Sequence, residues 1–536
     1  MSVTDAMLHL DAVARSIPEP VLPPNASNAQ ISGILRATRP FLDTDRDWIL
    51  QNIEDFQQQI SVYDALLDRT DEIRLETQRR RDVVQRSMAT YSSTLAPIRR
   101  LPSEILCAVF HEVQISLLSN PPKSSFSLTE PTALDFSQAP WELSHVCGTW
   151  RDVILSYPQL WSRIVLQFEI CRPAEDLRGT VPALQTMIHR SIQYPLDIVF
   201  EVGYSENEDT AIEAFPVILE ESYRWRNIEL NLSLPLLEQL KAARGKIPCL
   251  ESLTMGISYE AFDPLSIEEL PQDVRNVFLD APGLQKVTLH HARGPCDFIF
   301  PLHITHLATF VDNLSNIEAY QSLVECHLAI KEGPGPDVSP SHPIHLPNVR
   351  RLFVSSPDLL PRLRLPLLDD LTISNGPNLE SDMDVVVLMM NEFVSRSRCT
   401  LTRLAIHSLV SHNQLFINDC LLLMDSLVSL EIGLWNWEVK FLFDALASIR
   451  FLPNLQHLLL RIPCTHPLLL NPLVAMISSR SQYLRSIKIS CGRADDMERV
   501  KERLVPLRPP ELSTVVQLES QREYEMICCF GKFGSA

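Results

Sequence analysis

The amino-acid sequence predicts an α+β chain of several domains: a long N-terminal helix, a compact block of short helices, and an α/β solenoid of repeated strand units. Three observations carry this reading. Apolar residues at heptad spacing begin at Ile49. Two short amphipathic stretches lie between Ile98 and Leu166. From Trp161 to Ile489 the spacing apolar-x-x-apolar-x-apolar recurs at intervals of about 20 to 40 residues.

The totals narrow the function classes. With 536 residues, 45% hydrophobic and 21% charged, the composition is that of a globular protein with more than one core. A net charge of −19 argues against broad nucleic-acid binding and against adhesion to anionic membranes, which both need a basic surface. Glycine is scarce, at 15 residues against 39 prolines, so short elements punctuated by proline are expected rather than glycine-rich phosphate loops. The 12 cysteines include no CxxC pair, which fits a reducing compartment. No run approaches the roughly 18 apolar residues that span a bilayer, and MSVTDAMLHLDAVARSIPEP lacks the apolar core of a signal peptide. Cytoplasm or nucleus is therefore the expected location.

Residues 1–40, with Pro18, Pro20, Pro23, Pro24 and Pro40 and no sustained periodicity, read as a flexible arm. Residues 41–96 read as a long amphipathic helix. Its seam runs through Ile49, Ile53, Phe56, Ile60, Tyr63 and Leu67, and resumes in phase at Val84, Met88, Tyr91 and Leu95. Between them the seam falls on Thr70, Arg74, Thr77 and Arg81, and Pro97 ends the helix. Two uses of residues 49–95 fit this pattern: parallel homodimerisation, or packing within the chain. The interleaved arginines and acids read as a solvated face rather than a nucleic-acid site.

Residues 97–166 form the next unit. Ile105, Leu106, Val109, Phe110 and Val113 share one helical face, with Pro102 suited to the first turn. Leu143, Val146, Cys147, Trp150, Val153 and Ile154 share another, so a second helix is expected across 143–154. Residues 117–139, rich in Ser and Pro, read as an inserted surface loop. Neither helix buries enough alone, so the pair is expected to pack together and leave an apolar surface for a partner.

These residues carry a resemblance. IRRLPSEIL, then LSHVCGTWRDV and a closing LW, resembles the F-box, the helical module that docks proteins onto the Skp adaptor of cullin–RING ubiquitin ligases. The wording is similar to that of F-box proteins abundant in mushroom-forming fungi. The resemblance implies that Leu101, Pro102, Ile105, Leu106, Phe110, Leu143, Val146 and Trp150 bind the adaptor, and through it cullin.

Residues 167–510 hold most of the repeat. Its units include Trp225/Ile228/Leu230, Leu250/Leu253/Met255, Leu371/Ile373 after Leu368, and Leu430/Ile432 after Leu427. PLDIVFEV around Ile198 fits a wider gap. Each unit supplies a short strand that cannot bury its face alone and must stack on its neighbours. The pattern resembles leucine-rich repeats, with Pro just before the strand in phrases such as Leu346-Pro-Asn-Val and Leu452-Pro-Asn-Leu. The Asn or Cys expected after LxxLxL is mostly missing, which predicts an irregular coil. The β-branched endings argue against a purely helical solenoid. Residues 511–536 read as a C-terminal tail.

No catalytic constellation is legible: there is no GxxxxGK[ST], HExxH or GxSxG. The pairs His303/His306 and His342/His345 lack a completing ligand, so no metal or cofactor is expected. Asp369-Asp370 and Asp495-Asp496 read as solvated turns, and Cys107 and Cys147 as small core residues. Trp435 and Trp437 in GLWNWEV follow a strand and are candidates for contact with a protein target. The expectation is a non-catalytic receptor subunit that holds an unidentified protein target through the repeat domain. The alternative is a scaffold of the same fold outside any ligase.

Overall fold

The computed structural model describes residues 3–22, 24–36, 40–119, 140–168, 179–202, 208–257, 270–291, 298–310, 314–330, 342–374, 383–409, 421–434, 440–462, 467–491, 493–504 and 513–518. It divides into two compact units, Met1–Pro102 and Ser103–Ala536.

The first unit is helical. Where an irregular arm is expected, helices α1 (Val3–Ser16) and α2 (Asn25–Leu35) form instead. Pro18, Pro20, Pro23 and Pro24 fall between them in the sequence, so proline sets the break rather than abolishing structure. Helix α3 (Asp43–Thr94) runs 52 residues without interruption, about 78 Å at helical rise. Asp45 caps its start by accepting the Leu42 N–H at 2.9 Å. Its middle turns carry exposed i,i+3 and i,i+4 pairs such as Arg74–Asp71 and Arg80–Glu76, which water and salt screen. The helix ends before Pro97, which starts a 3₁₀ turn.

The second unit begins with α4 (Ser103–Ser119), α5 (Trp141–Ser144) and α6 (Gly148–Leu155). The single helix expected across 143–154 is broken, because Cys147 is extended at φ −162°, ψ 169° and α6 starts afresh at Gly148. Glycine and β-branched Val146 are poor continuers, and helical periodicity alone cannot reveal a break that keeps the same apolar face.

Then come the strands: β1 (Arg163–Phe168), β2 (Leu196–Val202), β3 (Trp225–Leu232), β4 (Ser252–Ile257), β5 (Lys286–His291) and β6 (His306–Phe310). They continue with β7 (Glu325–Ala329), β8 (Ile344–His345), β9 (Arg351–Val354), β10 (Leu363–Arg364) and β11 (Asp370–Ser374). The series closes with β12 (Arg403–Leu409), β13 (Ser429–Leu434), β14 (His457–Ile462), β15 (Ser486–Cys491) and β16 (Ser513–Leu518). Fourteen strands form one parallel sheet in chain order, while β8 and β10 pair separately. The longer crossovers carry α7 (Thr180–Arg190), α8 (Glu208–Glu220), α9 (Leu234–Leu240), α10 (Gln272–Arg275), α11 (Met383–Ser397), α12 (Lys440–Ala447), α13 (Pro467–Arg480) and α14 (Ala494–Leu504).

The apolar triplets lie where the spacing requires. Leu253 and Met255 of β4, Leu371 and Ile373 of β11, and Ile487 and Ile489 of β15 are all buried, as are the leading residues Leu250, Leu368 and Leu484. Strand β6 breaks the expected spelling because Thr309 stands at its last apolar position, yet Ile304 and Leu307 are buried. The sheet also passes the expected end at 510, with β16 pairing to β15 from Ser513 to Leu518.

Buried side chains with N–H groups tie several of these segments to helix ends earlier in the chain. Trp161 donates its indole N–H to the Ile154 carbonyl at 2.9 Å, and Trp225 donates to Ile218 at 3.2 Å, each at a helix C-terminus. Arg224 donates to the carbonyl of Ile188 in the last turn of α7 and to those of Ile192 and Tyr194 beyond it. Arg480 does the same for the end of α12, reaching the carbonyls of Leu446, Ser448, Phe451 and Leu452.

Candidate functional site

Two surfaces stand out. The first is the helical block. Helix α4 turns Leu106 and Phe110 inward, and both are buried. The Phe110 ring meets Trp150 of α6 edge-on at 4.8 Å, and buried Gln114 donates to the Leu160 carbonyl at 3.2 Å. Trp141 packs edge-on against Trp161 at 5.0 Å, and the Arg190 guanidinium lies 4.4 Å from the centre of the Trp161 ring. The block is thereby fastened to the start of the sheet.

The eight residues expected to meet an adaptor differ in exposure. Leu106 and Phe110 are core, and Leu101, Leu143 and Trp150 are half-buried. Pro102 is exposed, with Ile105 49% and Val146 53% exposed. Val113 and Leu155 are exposed as well. Isolated exposed apolar residues are ordinary, but several on one small helical block are what a partner helix requires. Trp435 and Trp437 lie outside the described residues.

The second surface is the sheet face carrying the polar residues that alternate with the buried triplets. In register across consecutive strands stand Lys286, His306, Glu325, Arg351, Asp370 and Arg403. Glu325 is buried and meets His327 at 2.9 Å, Arg351 at 3.1 Å and His306 at 3.7 Å. Arg403 bridges Asp370 at 3.3 Å and Glu431 at 3.6 Å. Glu431 also meets Arg461 at 2.8 Å and His407 at 3.6 Å. Two carboxylate centres therefore share one face, Glu325 beside Arg351 and two histidines, and Glu431 between Arg403 and Arg461 with His407. Such a lattice holds its charges in fixed positions.

Sequence reading missed this lattice. His306 drew notice only through its spacing from His303, and Asp370 only through Asp369. The available signal was the charged residues in the x positions of the triplets, as in ECHLA, RLAIH and SLEIG.

The pKa directions follow from burial. Desolvation pulls His407 from 6.5 down to about 4 despite the Glu431 carboxylate beside it. Burial alone would raise Glu431, but His407, Arg461 and Arg403 together hold it below its usual value. The unfolded chain takes up a proton at His407 near 6.5, so its contribution is complete above that pH and is lost as pH falls towards 4. We expect denaturant stability to drop by about 3 kcal/mol over that window, with a shallower slope in His407→Asn. An unchanged slope in the variant would remove His407 from the account.

Burial raises the Cys107 thiol, and drives that of Cys326 up to about 12, the reverse of an activated nucleophile. Among the described residues no group of His, Cys, Asp and Glu is arranged to hold a metal ion, and no helix is long and apolar enough to cross a membrane. No protein-family model matches the chain, and no curated protein matches its sequence.

Proposed function

We propose that the chain is the substrate-recognition subunit of a Skp–cullin–F-box ubiquitin ligase, non-catalytic itself, with its strand-rich part an irregular leucine-rich-repeat solenoid. The observation that carries this is the helical block. Its own core is closed by Leu106, Phe110 and Trp150, yet Ile105 and Val146 are left in solvent within the stretch that resembles an F-box. The parallel sheet with strands in chain order supports the repeat reading, and the charged face supplies a surface for a protein target. The mechanism is proximity: adaptor and target held by one chain raise the effective concentration of a target lysine near the ubiquitin carrier.

Wild type should retain purified Skp adaptor on an affinity column, and Ile105→Asp/Val146→Asp should lose it by at least tenfold, since removing central anchors costs about 2 kcal/mol or more. Both residues are exposed, so circular dichroism of the variant should be unchanged. Equal retention by both proteins would move the contact elsewhere. No retention by either would leave a scaffold with an F-box-like fold.

A further inference from the structure

We infer that α3 pairs with the α3 of a second copy of this chain in antiparallel orientation. The seam is open over most of its length. Ile60 is 58% exposed and Val84 68% exposed, and Ile53, Leu67, Met88, Tyr91 and Leu95 are exposed too. The segment Pro18–Val21 lies beside part of it, held by Tyr63 donating to the Pro18 carbonyl at 2.7 Å and by Gln59 bonding to Val21. It leaves the C-terminal apolar group uncovered.

Charge selects both the occupant and its direction. Between Asp43 and Glu72 acids outnumber bases, whereas the arginines at 74, 79, 80, 81 and 86 outnumber Glu76 and Asp82. The helix is thus acidic in one half and basic in the other, complementary to a reversed copy of itself. The seam makes the same choice. In a parallel pair Arg74 would face Arg74 and Arg81 would face Arg81 in the buried layers, opposing like charges at low dielectric. Reversing one helix about the middle of the seam sets Ile49 opposite Leu95, Ile53 opposite Tyr91, Phe56 opposite Met88 and Ile60 opposite Val84. Every terminal layer is then apolar. Arg81 meets Tyr63, an aromatic face suited to a cation, and Arg74 meets Thr70. The inference stands apart from the adaptor reading and holds whether or not the chain binds an adaptor.

The test uses the full chain in analytical ultracentrifugation with Ile60→Glu, Val84→Lys and the double variant, all at exposed positions. Wild type should sediment as a dimer at micromolar concentration. Each single variant should weaken the dimer by tenfold or more, because the new charge, contributed once by each copy, enters an apolar layer with no counter-charge opposite it. The double variant should restore the dimer, since each introduced glutamate then faces an introduced lysine. A monomeric wild type, single variants that dimerise unchanged, or a double variant weaker than both singles would each overturn the inference, the last in favour of parallel pairing.

Discussion

Arg480→Ala is expected to destabilise the Ser103–Ala536 unit by about 3–5 kcal/mol, read as a fall in the denaturant midpoint. Arg480 is among the largest fully buried side chains, at 2% exposure. Its guanidinium serves the carbonyls of Leu446, Ser448, Phe451 and Leu452, which belong to the last turn of α12 and the turn after it. Truncation removes this donor: the Ser448 and Leu452 carbonyls keep the N–H groups of Phe451 and Leu455 at 3.1 and 3.2 Å, but those of Leu446 and Phe451 lose the guanidinium in a place that water reaches poorly, at about 1–3 kcal/mol for each left unsatisfied. Leu452 adds to the cost. It sits at φ 47°, a left-handed conformation that a leucine adopts only when held there. Arg480→Lys keeps the charge but not the planar fork, so it should recover only part of the loss. A change within 0.5 kcal/mol for Arg480→Ala would show that the turn needs no donor.

Trp161→Ala should cost a similar 3–5 kcal/mol, and it should also loosen the helical block from the sheet. Trp161 is wholly buried, and its ring touches Trp141 while Arg190 lies over its face. Its N–H holds the Ile154 carbonyl at the end of α6. Trp161→Phe keeps most of the apolar area and loses the hydrogen bond, so about 1 kcal/mol is expected. Native-state hydrogen exchange of the alanine variant should show α6 and β1 losing protection together. Loss confined to α6 would mean that the block and the sheet are fastened by other contacts.

The periodic part of the fold was legible because it repeats. Apolar triplets such as Leu427/Leu430/Ile432 are set by the pleat of a strand, and that pattern survives irregular loops. Strand β6 was hidden because Thr309 stands where the repeat has an apolar residue. The break at Cys147 was hidden because the apolar spacing from Leu143 to Ile154 keeps one helical period across it in the sequence. In the candidate site, the exposure of Ile105 and Val146 followed from helical pairs too small to close on themselves. The inward turn of Leu106 and Phe110 did not, since a continuous apolar stripe does not say which edge faces its own partner. The Glu325 and Glu431 centres were out of reach, because only the register between strands brings His306, Arg351 and Arg403 to those carboxylates.

The most direct test of the receptor reading is reconstitution with purified Skp adaptor and cullin. Wild type should form a complex containing all three proteins, and Ile105→Asp/Val146→Asp should elute free of both partners while keeping its circular dichroism and denaturant midpoint. A wild-type chain that binds adaptor but excludes cullin, or binds neither, would contradict the account.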